Sequence, residues 1–568
     1  MFKFRLKPNT SGSSEKPKLR FLSLGGVRDV TKNMYVYEYG SDIIIVDCGI
    51  GFPDSELLGV DVIIPNTVYL EKNLDRVRAI LVTHGHEDHF GALPYILPKI
   101  SVPVYATPLV AGFIKAKLED YEMTGRFDIR TIDPDKDVLT IGSFKITPYR
   151  INHSVPDSVG YCLETPQGSI FHTPDFKFDW TPVFDKPFDV AKVVALAQKQ
   201  PLLLCSDCLG ANSEGYTQSE ANIQAVFENI IEKASGQVVV TTISSNISRI
   251  QQAINASLKF NRRVVIVGRS ISKNVLVAKE LNYLNVSNRD LVKVERAASL
   301  PQNQLTYIVA GAYGQAESAL SRMASGTHKF AQIRRGATVI FSADPNPPGV
   351  SEAVDVVVDK LTDIGAEVHN YEIQDDLHVS GHGSQGDMLL LASLVRPKYF
   401  LPIGGTARHL RAYSRLISKT GVDSGRVFEL STGQFLEFYD GNANLGQKID
   451  VQDVYVDDSG SSNISDLVIK DKKRIADDGI VVISIPLKRG TTKMISRPEI
   501  VSRAFSATHI PVDILKLIDS QIEGIIAQMK NDALDRKQFR IQVEKVISRT
   551  FLKKMAKHPL ILPIVVEV

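Results

Sequence analysis

Four side chains able to bind a divalent cation fall within six positions: His84, His86, Asp88 and His89, in His84-Gly85-His86-Glu87-Asp88-His89. Imidazole and carboxylate are donors that suit zinc. The segment follows the apolar run Val77-Arg-Ala-Ile-Leu-Val-Thr83. His84 and His86, two apart just past a strand, can therefore point the same way. Asp88 and His89 then begin a turn into a helix. Further ligands have to come from distant strand ends. His153, beyond the strand that starts at Phe144, is one candidate. Asp175, in His172-Thr-Pro-Asp175, is the other, and its carboxylate could bridge two ions. Two metals about 3.5–4 Å apart would activate a water and stabilise both oxygens of an in-line displacement at phosphorus. Asp47 ends the apolar strand that starts at Asp42, where it can orient a ligand His from behind. His172 reads as a packing residue.

His378 and His382 share the Gly/Ser-rich loop His378-Val-Ser-Gly-His382, which points to a catalytic or phosphate-contacting role. His409, after an Arg on a helical segment, reads as structural. His328, His369, His509 and His558 have no neighbouring constellation and read as ordinary surface or core residues. Cys205-Ser-Asp-Cys208 is a lone C-x-x-C with no second pair. Its thiols, like Cys48 and Cys162, read as core-facing, and Asp207 between them is the residue of interest.

These residues need strands to position them. Residues 20–205 alternate short apolar runs with turns: residues 42–47, 77–83, 144–149, 160–164 and 169–172 read as strands, and residues 91–97 as a helix start. From 208 to 371 helical segments (219–234, 271–281) alternate with parallel-type strands at 237–242, 263–267, 305–310 and 337–341. Each strand ends in small polar residues: Ser244-Ser245-Asn246, Gly268-Arg269-Ser270, Gly311-Ala312 and Ser342-Ala343. Ligands of an open parallel sheet sit at such carboxyl ends, and this composition suits a phosphate. Residues 441–466 are polar and read as a connection. The tail reads as strand 479–486, helix 511–529 with an apolar face of period 3.6, helix 536–555 and strand 560–566.

Length and composition set limits. A chain of 568 residues is too long for one hydrophobic core and implies two to four domains. No apolar stretch approaches the ~20 residues of a membrane span. The net charge of +2 does not by itself point to nucleic acid, which would have to be met by local patches. Sparse cysteine fits a reducing cytosol. The first twenty residues carry six Lys/Arg against one Glu with no apolar core, so a flexible basic tail is expected rather than a secretion signal.

The order Thr83-His-Gly-His-Glu-Asp-His89, His153, Asp175, Asp207 and His378-Val-Ser-Gly-His382 resembles the β-CASP metallo-β-lactamase nucleases. Further segments resemble the ribonuclease J family. They include Gly25-Gly-Val, Lys32-Asn-Met, Val46-Asp-Cys-Gly, Gly215-Tyr-Thr, Ser245-Asn-Ile-Ser-Arg-Ile-Gln-Gln, Gly268-Arg-Ser, Ala319-Leu-Ser-Arg-Met, Asp478-Gly-Ile-Val-Val and the final eight residues. The resemblance runs from about residue 20 to 568.

It implies an α/β fold: a metallo-β-lactamase αββα sandwich with an inserted parallel-sheet β-CASP domain and a small α/β C-terminal domain. The implied layout is a basic tail (1–20), the first part of the metallo-β-lactamase domain (21–207), the β-CASP domain (208–371), the returning segment (372–440), a linker (441–466) and an oligomerisation domain (467–568). The implied activity is metal-dependent hydrolysis of RNA, as a 5′→3′ exonuclease, an endonuclease or both, in RNA processing and decay in the cytoplasm. RNA bearing a 5′-monophosphate would enter between the two large domains. The chain would form a homodimer or homotetramer, with RNA-decay proteins as partners by analogy.

By the same resemblance, His84, His86 and His153 would hold one zinc. Asp88 and His89 would hold a second ion, with Asp175 bridging and Asp88 also serving catalysis. Asp207 would orient active-site histidines, and His382 would act as general acid or phosphate contact. Ser245, Asn246, Arg269, Ser270, His378, Ser380 and Gly381 would contact RNA phosphates. One departure matters. The family reads Pro-Ile-His-Gly-Glu where this chain has Pro402-Ile-Gly-Gly-Thr406, so Gly404 stands where a metal-ligand His is expected. That implies weaker binding at the second site, so that the chain would hold one or two zinc ions, with Mn²⁺ or Mg²⁺ as an alternative at the second site. Gly26-Val-Arg28-Asp29 and Tyr313/Gln315 also differ from the family pattern. Two alternatives stand beside the ribonuclease: an RNA-binding relative with weak or no catalysis, motivated by Gly404, and a hydrolase of this fold acting on DNA or a small ester.

Overall fold

The computed structural model describes residues 17–53, 57, 59–343, 351–370, 375–457, 466–489, 491, 493–505, 510–528 and 536–568. The basic tail expected at residues 1–20 lies outside them up to residue 16. Its last two residues belong to the strand Leu19–Gly25, whose Leu19 is buried. Two compact units form, Met1–Phe52 with Ile63–Val454, and Pro53–Val62 with Tyr455–Val568.

The first unit is built on two facing sheets. One has eight strands in the order Asn442–Lys448, Gln434–Tyr439, Leu19–Gly25, Met34–Tyr39, Asp42–Val46, Val77–Leu81, Val104–Ala106, Ile129–Thr131. The other has six: Tyr399–Ile403, Leu203–Asp207, Gly168–Thr173, Val159–Thr165, Phe144–Arg150, Leu139–Ile141. Tyr35, Ile44 and Leu81 from the first share one core with Tyr149, Phe171 and Leu204 from the second. The strand Asp42–Val46 is buried along its whole length, which is why its Ile43–Val46 stretch reads as an apolar run. All four cysteines are buried in this unit.

The strand Asn442–Lys448 corrects the reading of residues 441–466 as a connection. It pairs antiparallel with Gln434–Tyr439 across the Asp440-Gly441 turn, where φ is +48° and +75°. It is a mostly exposed edge strand, so it lacks the apolar alternation that marks a strand in sequence. The Asp-Gly pair is the hairpin signal that marks it.

The chain leaves the second sheet at Asp207 and returns to it in the neighbouring parallel strand, with Asp207 opposite Ile403. Between lie five parallel strands in the order Arg263–Val267, Leu305–Val309, Val238–Thr241, Thr338–Phe341, Glu367–His369. A buried charge cluster sits where this insertion starts. Arg249 makes a two-pronged pair with Glu220 (2.6 and 2.9 Å) and donates to Ser342 Oγ at 2.8 Å. Lys177, two residues past Asp175, lies 3.9 Å from Glu220 and 3.8 Å from Asp179.

The second unit holds a three-stranded sheet, with Ile480–Leu487 between Glu499–Arg503 and Leu560–Glu567. The helices Val512–Gln528 and Arg536–Met555 cover one of its faces, packing Ile518, Ile522, Phe539 and Val543 against Val481, Ile483 and Ile485.

Candidate metal centre

The local fold brings the histidine cluster together as its spacing predicts. After the strand Val77–Leu81 the chain turns, and Glu87–Phe90 forms one helical turn, followed by a second at Leu93–Ile96. His84 and His89 are buried and His86 and Asp88 half-buried. His153 follows the strand Phe144–Arg150, and Asp175 follows Gly168–Thr173.

Three imidazole nitrogens face one another. His86 Nδ1 lies 3.2 Å from His84 Nε2 and 3.0 Å from His153 Nε2. The opposite nitrogen of each ring meets an acceptor, which assigns the proton to that side. His153 Nδ1 donates to the Gly381 carbonyl at 2.7 Å. His84 Nδ1 lies 3.0 Å from Thr83 Oγ1, whose own hydrogen goes to Asp47 at 2.9 Å. His86 Nε2 lies 3.2 Å from Ser154 Oγ. The three inward nitrogens therefore present lone pairs to one point, an arrangement that a bound cation would resolve. Burial, reinforced by neighbouring rings, holds His84 and His153 well below the ordinary histidine range, and burial holds His86 at about 3. All three are thus neutral, the state a metal ligand needs.

Asp175 Oδ2 stands 3.8 Å from both His84 Nε2 and His153 Nε2, and 3.4 Å from His89 Nε2. Asp88 Oδ2 is 3.5 Å from that same nitrogen. His84, His86, His153 and Asp175 make one group of donors that could hold an ion, and Asp88, His89 and Asp175 make a second. Asp47 sits behind both. It accepts from Thr83 N and Oγ1, and from His89 Nδ1 at 2.8 Å. Burial disfavours charge on His89, but Asp175, Asp88 and Asp47 together hold it protonated, so a cation at that nitrogen would take the place of a proton. Burial lifts Asp88 to about 6 against the pull of His89.

His382 joins from the loop before the helix Gln385–Val395. Its Nδ1 donates to Asp207 Oδ2 at 2.8 Å, and its Nε2 stands 3.9 Å from Asp175 Oδ2. Burial works against its charge, yet Asp207 and Asp175 lift its pKa to about 9. It is an imidazolium aimed at the centre, as a general acid has to be.

Two residues of the surroundings escaped the sequence reading. Asn33 Nδ2 lies 3.1 Å from His89 Nε2 and 3.1 Å from the Asp88 carbonyl, while Tyr35 Oη donates to its Oδ1 at 2.7 Å. Asp387 is fully buried and accepts from the backbone of Phe178, Thr217 and Ser384 at 2.9–3.0 Å. Lys32-Asn-Met had drawn notice as a segment, but no spacing links Asn33 to His89. His172 is a core residue, with Tyr37 Oη 2.8 Å from its Nδ1. His409 occupies the third position of the helix Ala407–Ser418 and caps it with Thr406.

The chain matches the family model of the metallo-beta-lactamase superfamily over residues 27–204 and that of the Zn-dependent metallo-hydrolase RNA specificity domain over 367–425. It matches "Ribonuclease J, beta-CASP domain" over 235–361 and "Ribonuclease J C-terminal domain" over 467–568. Ribonuclease J2 of Bacillus subtilis (strain 168) is 33% identical, over 97% of this chain and 99% of its own. Ribonuclease J 1 of Streptococcus pyogenes serotype M3 is 33% identical over 100% and 99%. The chain belongs to the ribonuclease J family. Ribonuclease J of Mycobacterium tuberculosis is 32% identical over 99% and 98%. A solved structure from Enterococcus faecalis V583, of a protein of unknown function, is 14% identical with a TM-score of 0.51 over 75% of this chain and 100% of that one, a likeness of fold alone.

Against the ribonuclease J pattern, Gly404 is the residue that matters. It follows the returning strand beside Asp207, and a Cβ on it would stand 3.5 Å from Asp175 Oδ1 and 3.6 Å from Asp207 Oδ1. The position lies beside Asp175 and Asp207, where glycine offers no side-chain donor. Its φ of +68° lies in the left-handed region that favours glycine.

The residues expected to meet phosphate lie mostly on the other sheet. Arg269 and Ser270 are exposed and open the helix Arg269–Glu280, and Ser270 Oγ is 2.9 Å from Ser244 Oγ. Ser245 is buried, and the side chain of Asn246 accepts from Arg249 N as the cap of Ile247–Lys259. That bond uses the amide oxygen and leaves to Nδ2 the donor role a phosphate would need. Ser380 Oγ accepts from His382 N at 3.1 Å, His378 is half-buried, and Gly381 spends its carbonyl on His153. Among the described residues no helix is long and apolar enough to cross a membrane.

Proposed function

We infer that this protein is a metal-dependent ribonuclease that hydrolyses RNA phosphodiesters, acting 5′→3′ from a monophosphorylated end, internally, or both. The observation that carries the reading is the convergence of three neutral histidine nitrogens on one point beside Asp175 and the His382 imidazolium. Membership of the ribonuclease J family supplies the substrate class.

His84, His86, His153 and Asp175 would hold a zinc ion, the nitrogen-rich set that zinc prefers. Asp88, His89 and Asp175 would hold a second ion. That set is richer in oxygen and one donor poorer, and so suits Mn²⁺ or Mg²⁺ as well as zinc. Bound cations supply an activated water and neutralise charge developing on the scissile phosphate. The chain's own residues do the rest. Asp47 fixes the rings of His84, through Thr83, and of His89. Asp207 holds His382 charged with Nε2 inward, and His382 passes that proton to the leaving oxygen. Arg269, Ser270, Ser245, His378 and Ser380 would position RNA phosphates.

The non-catalytic RNA-binding reading is not favoured, because every donor but the one at 404 is in place. The second unit would mediate assembly. The sheet face away from its helices carries Leu562, Ile564, Val566 and Val501, each at least 38% exposed, an apolar surface suited to pairing in a homodimer or homotetramer. Residues 467–568 would form this oligomerisation domain, and the cytoplasm is the compartment the reduced cysteines fit.

The test is cleavage of a 5′-monophosphorylated single-stranded RNA with Zn²⁺ and Mn²⁺ titrated in. Cleavage that a chelator stops is the expected result. A protein that leaves RNA intact at every metal concentration overturns the reading.

A further inference from the structure

The segment that leaves Asp175 alternates aromatics with charge: Phe176, Lys177, Phe178, Asp179, Trp180. Phe178 packs edge-on against Phe176, with ring centroids 5.9 Å apart, and lies 4.2 Å from Phe188, so it is fixed from the core side. Trp180 stacks on Phe178, centroids 5.9 Å apart and planes inclined by 26°, and is itself 60% exposed. One indole face is thus held from behind and the other is open. A second exposed ring packs against backbone rather than against another ring. Tyr216 is 65% exposed, and its ring edge lies so close to Gly386 that a Cβ there would come within 2.8 Å of it.

These two rings belong to one neighbourhood, and it adjoins the catalytic loop. Asp387 Oδ1 accepts from Phe178 N, and its Oδ2 accepts from Thr217 N and from Ser384 N. Thr217 Oγ1 donates to the carbonyl of His382 at 2.8 Å. Trp180 is two residues from Phe178 and Tyr216 one from Thr217, so each backbone lies within about 10 Å of the Asp387 carboxylate. The nearby charges are used internally: Asp179 accepts from Thr181 N and Glu220 N and pairs with Lys177. The open aromatic faces are therefore not screened by an unpaired buried carboxylate.

We propose that Trp180 and Tyr216 form a stacking platform for unpaired bases of the substrate strand next to the scissile phosphate. This rests on the ribonuclease reading and adds a source of substrate choice to it. Stacking accepts any base, because every base has a π face, but it requires that the base be free of its own helix. The platform makes the enzyme indifferent to sequence and selective for single strands.

Trp180 is the only tryptophan in the chain, so its fluorescence reports on the platform directly. The full-length protein, with chelator present to stop cleavage, is titrated with a 5′-monophosphorylated single-stranded RNA, with the same strand made abasic near its 5′ end, and with its duplex. Saturable quenching by the first and little by the other two is expected. With metal restored, Trp180→Ala or Tyr216→Ala should raise KM roughly tenfold, with little change in kcat and an unchanged melting temperature, and Trp180→Phe should restore most of the KM. Cleavage of RNA by the wild type without quenching, or with KM unmoved in both alanine variants, overturns the platform and leaves the ribonuclease standing. Failure of the wild type to bind or cleave RNA overturns both.

Discussion

Asp175 is shared by three groups of donors, and the two that hold the histidine cluster offer unequal numbers of partners. On one side it meets three imidazoles whose outward nitrogens are all engaged and whose inward nitrogens lie 3.0–3.2 Å apart. On the other it meets only Asp88 and His89, and the third position is Gly404. The supporting shell does not share this inequality, since Asp47 braces His84 through Thr83 and His89 directly. The two groups share the support of Asp47 and differ in the number of donors each offers.

The largest expected effect falls on the complete half. His84→Ala removes one of four donors and should abolish RNA cleavage and strip the tightly held zinc, measured by elemental analysis after dialysis. Asp88→Asn should leave that zinc in place and lose only the weaker second ion. Equal zinc loss in the two variants would erase the distinction between the halves.

His382→Gln comes next; His382 stands outside these two groups, although with Asp175 and Asp207 it forms a third. Loss of a general acid costs about 10²–10⁴-fold in rate, with metal content unchanged. The pH profile carries a sign. His382 is lifted to about 9 by Asp207 and Asp175 over the opposing effect of burial, and it works in its protonated form, so activity is retained at neutral pH and falls as the ring loses its proton. Cations that neutralise Asp175 move this alkaline limb below 9. Asp207→Asn removes the other carboxylate and should move it lower again. A limb that stays put in Asp207→Asn would show that His382 is not the acid.

Asp47→Asn should weaken metal binding by about 10–100-fold, the usual worth of an outer partner. Because Asp47 serves both halves, calorimetric titration should show both ions weakened together, in contrast to His84→Ala and Asp88→Asn.

How far the sequence could be read follows the same division. His84, His86, Asp88 and His89 are legible because they are neighbours in the chain just past a strand, and local geometry alone gathers them. The layered sheets were legible because strands such as Asp42–Val46 are buried on both faces and leave an apolar run. The partnership of His382 with Asp207 spans 175 residues, and only the resemblance pointed to it. Asn33 and Asp387 were invisible, since each acts through contacts that exist only once distant loops have met. Asn442–Lys448 was missed because an exposed edge strand need not be apolar. The capping role of Asn246 went unread for a related reason: a side chain that suits a phosphate also suits a helix cap, and composition does not tell the two apart.

The smallest predicted effect is the one that tests the comparison itself. If residue 404 is the missing donor, Gly404→His should tighten the second ion by roughly tenfold, since it adds a fourth ligand next to Asp175. The gain is reduced by the backbone, because a φ of +68° costs a side chain about 1–2 kcal/mol. Gly404→Ala isolates that cost: its Cβ meets only ordinary contacts at 3.5 and 3.6 Å, so it should lower the melting temperature without changing metal affinity. Titration of Mn²⁺ into protein already holding one zinc compares the two variants under the same backbone strain. Tighter binding in Gly404→His alone makes ligand count the cause of the asymmetry. Equal binding in both would mean that the second site is limited by something other than residue 404, with Asn33 Nδ2, already 3.1 Å from His89 Nε2, the nearest competitor for that nitrogen.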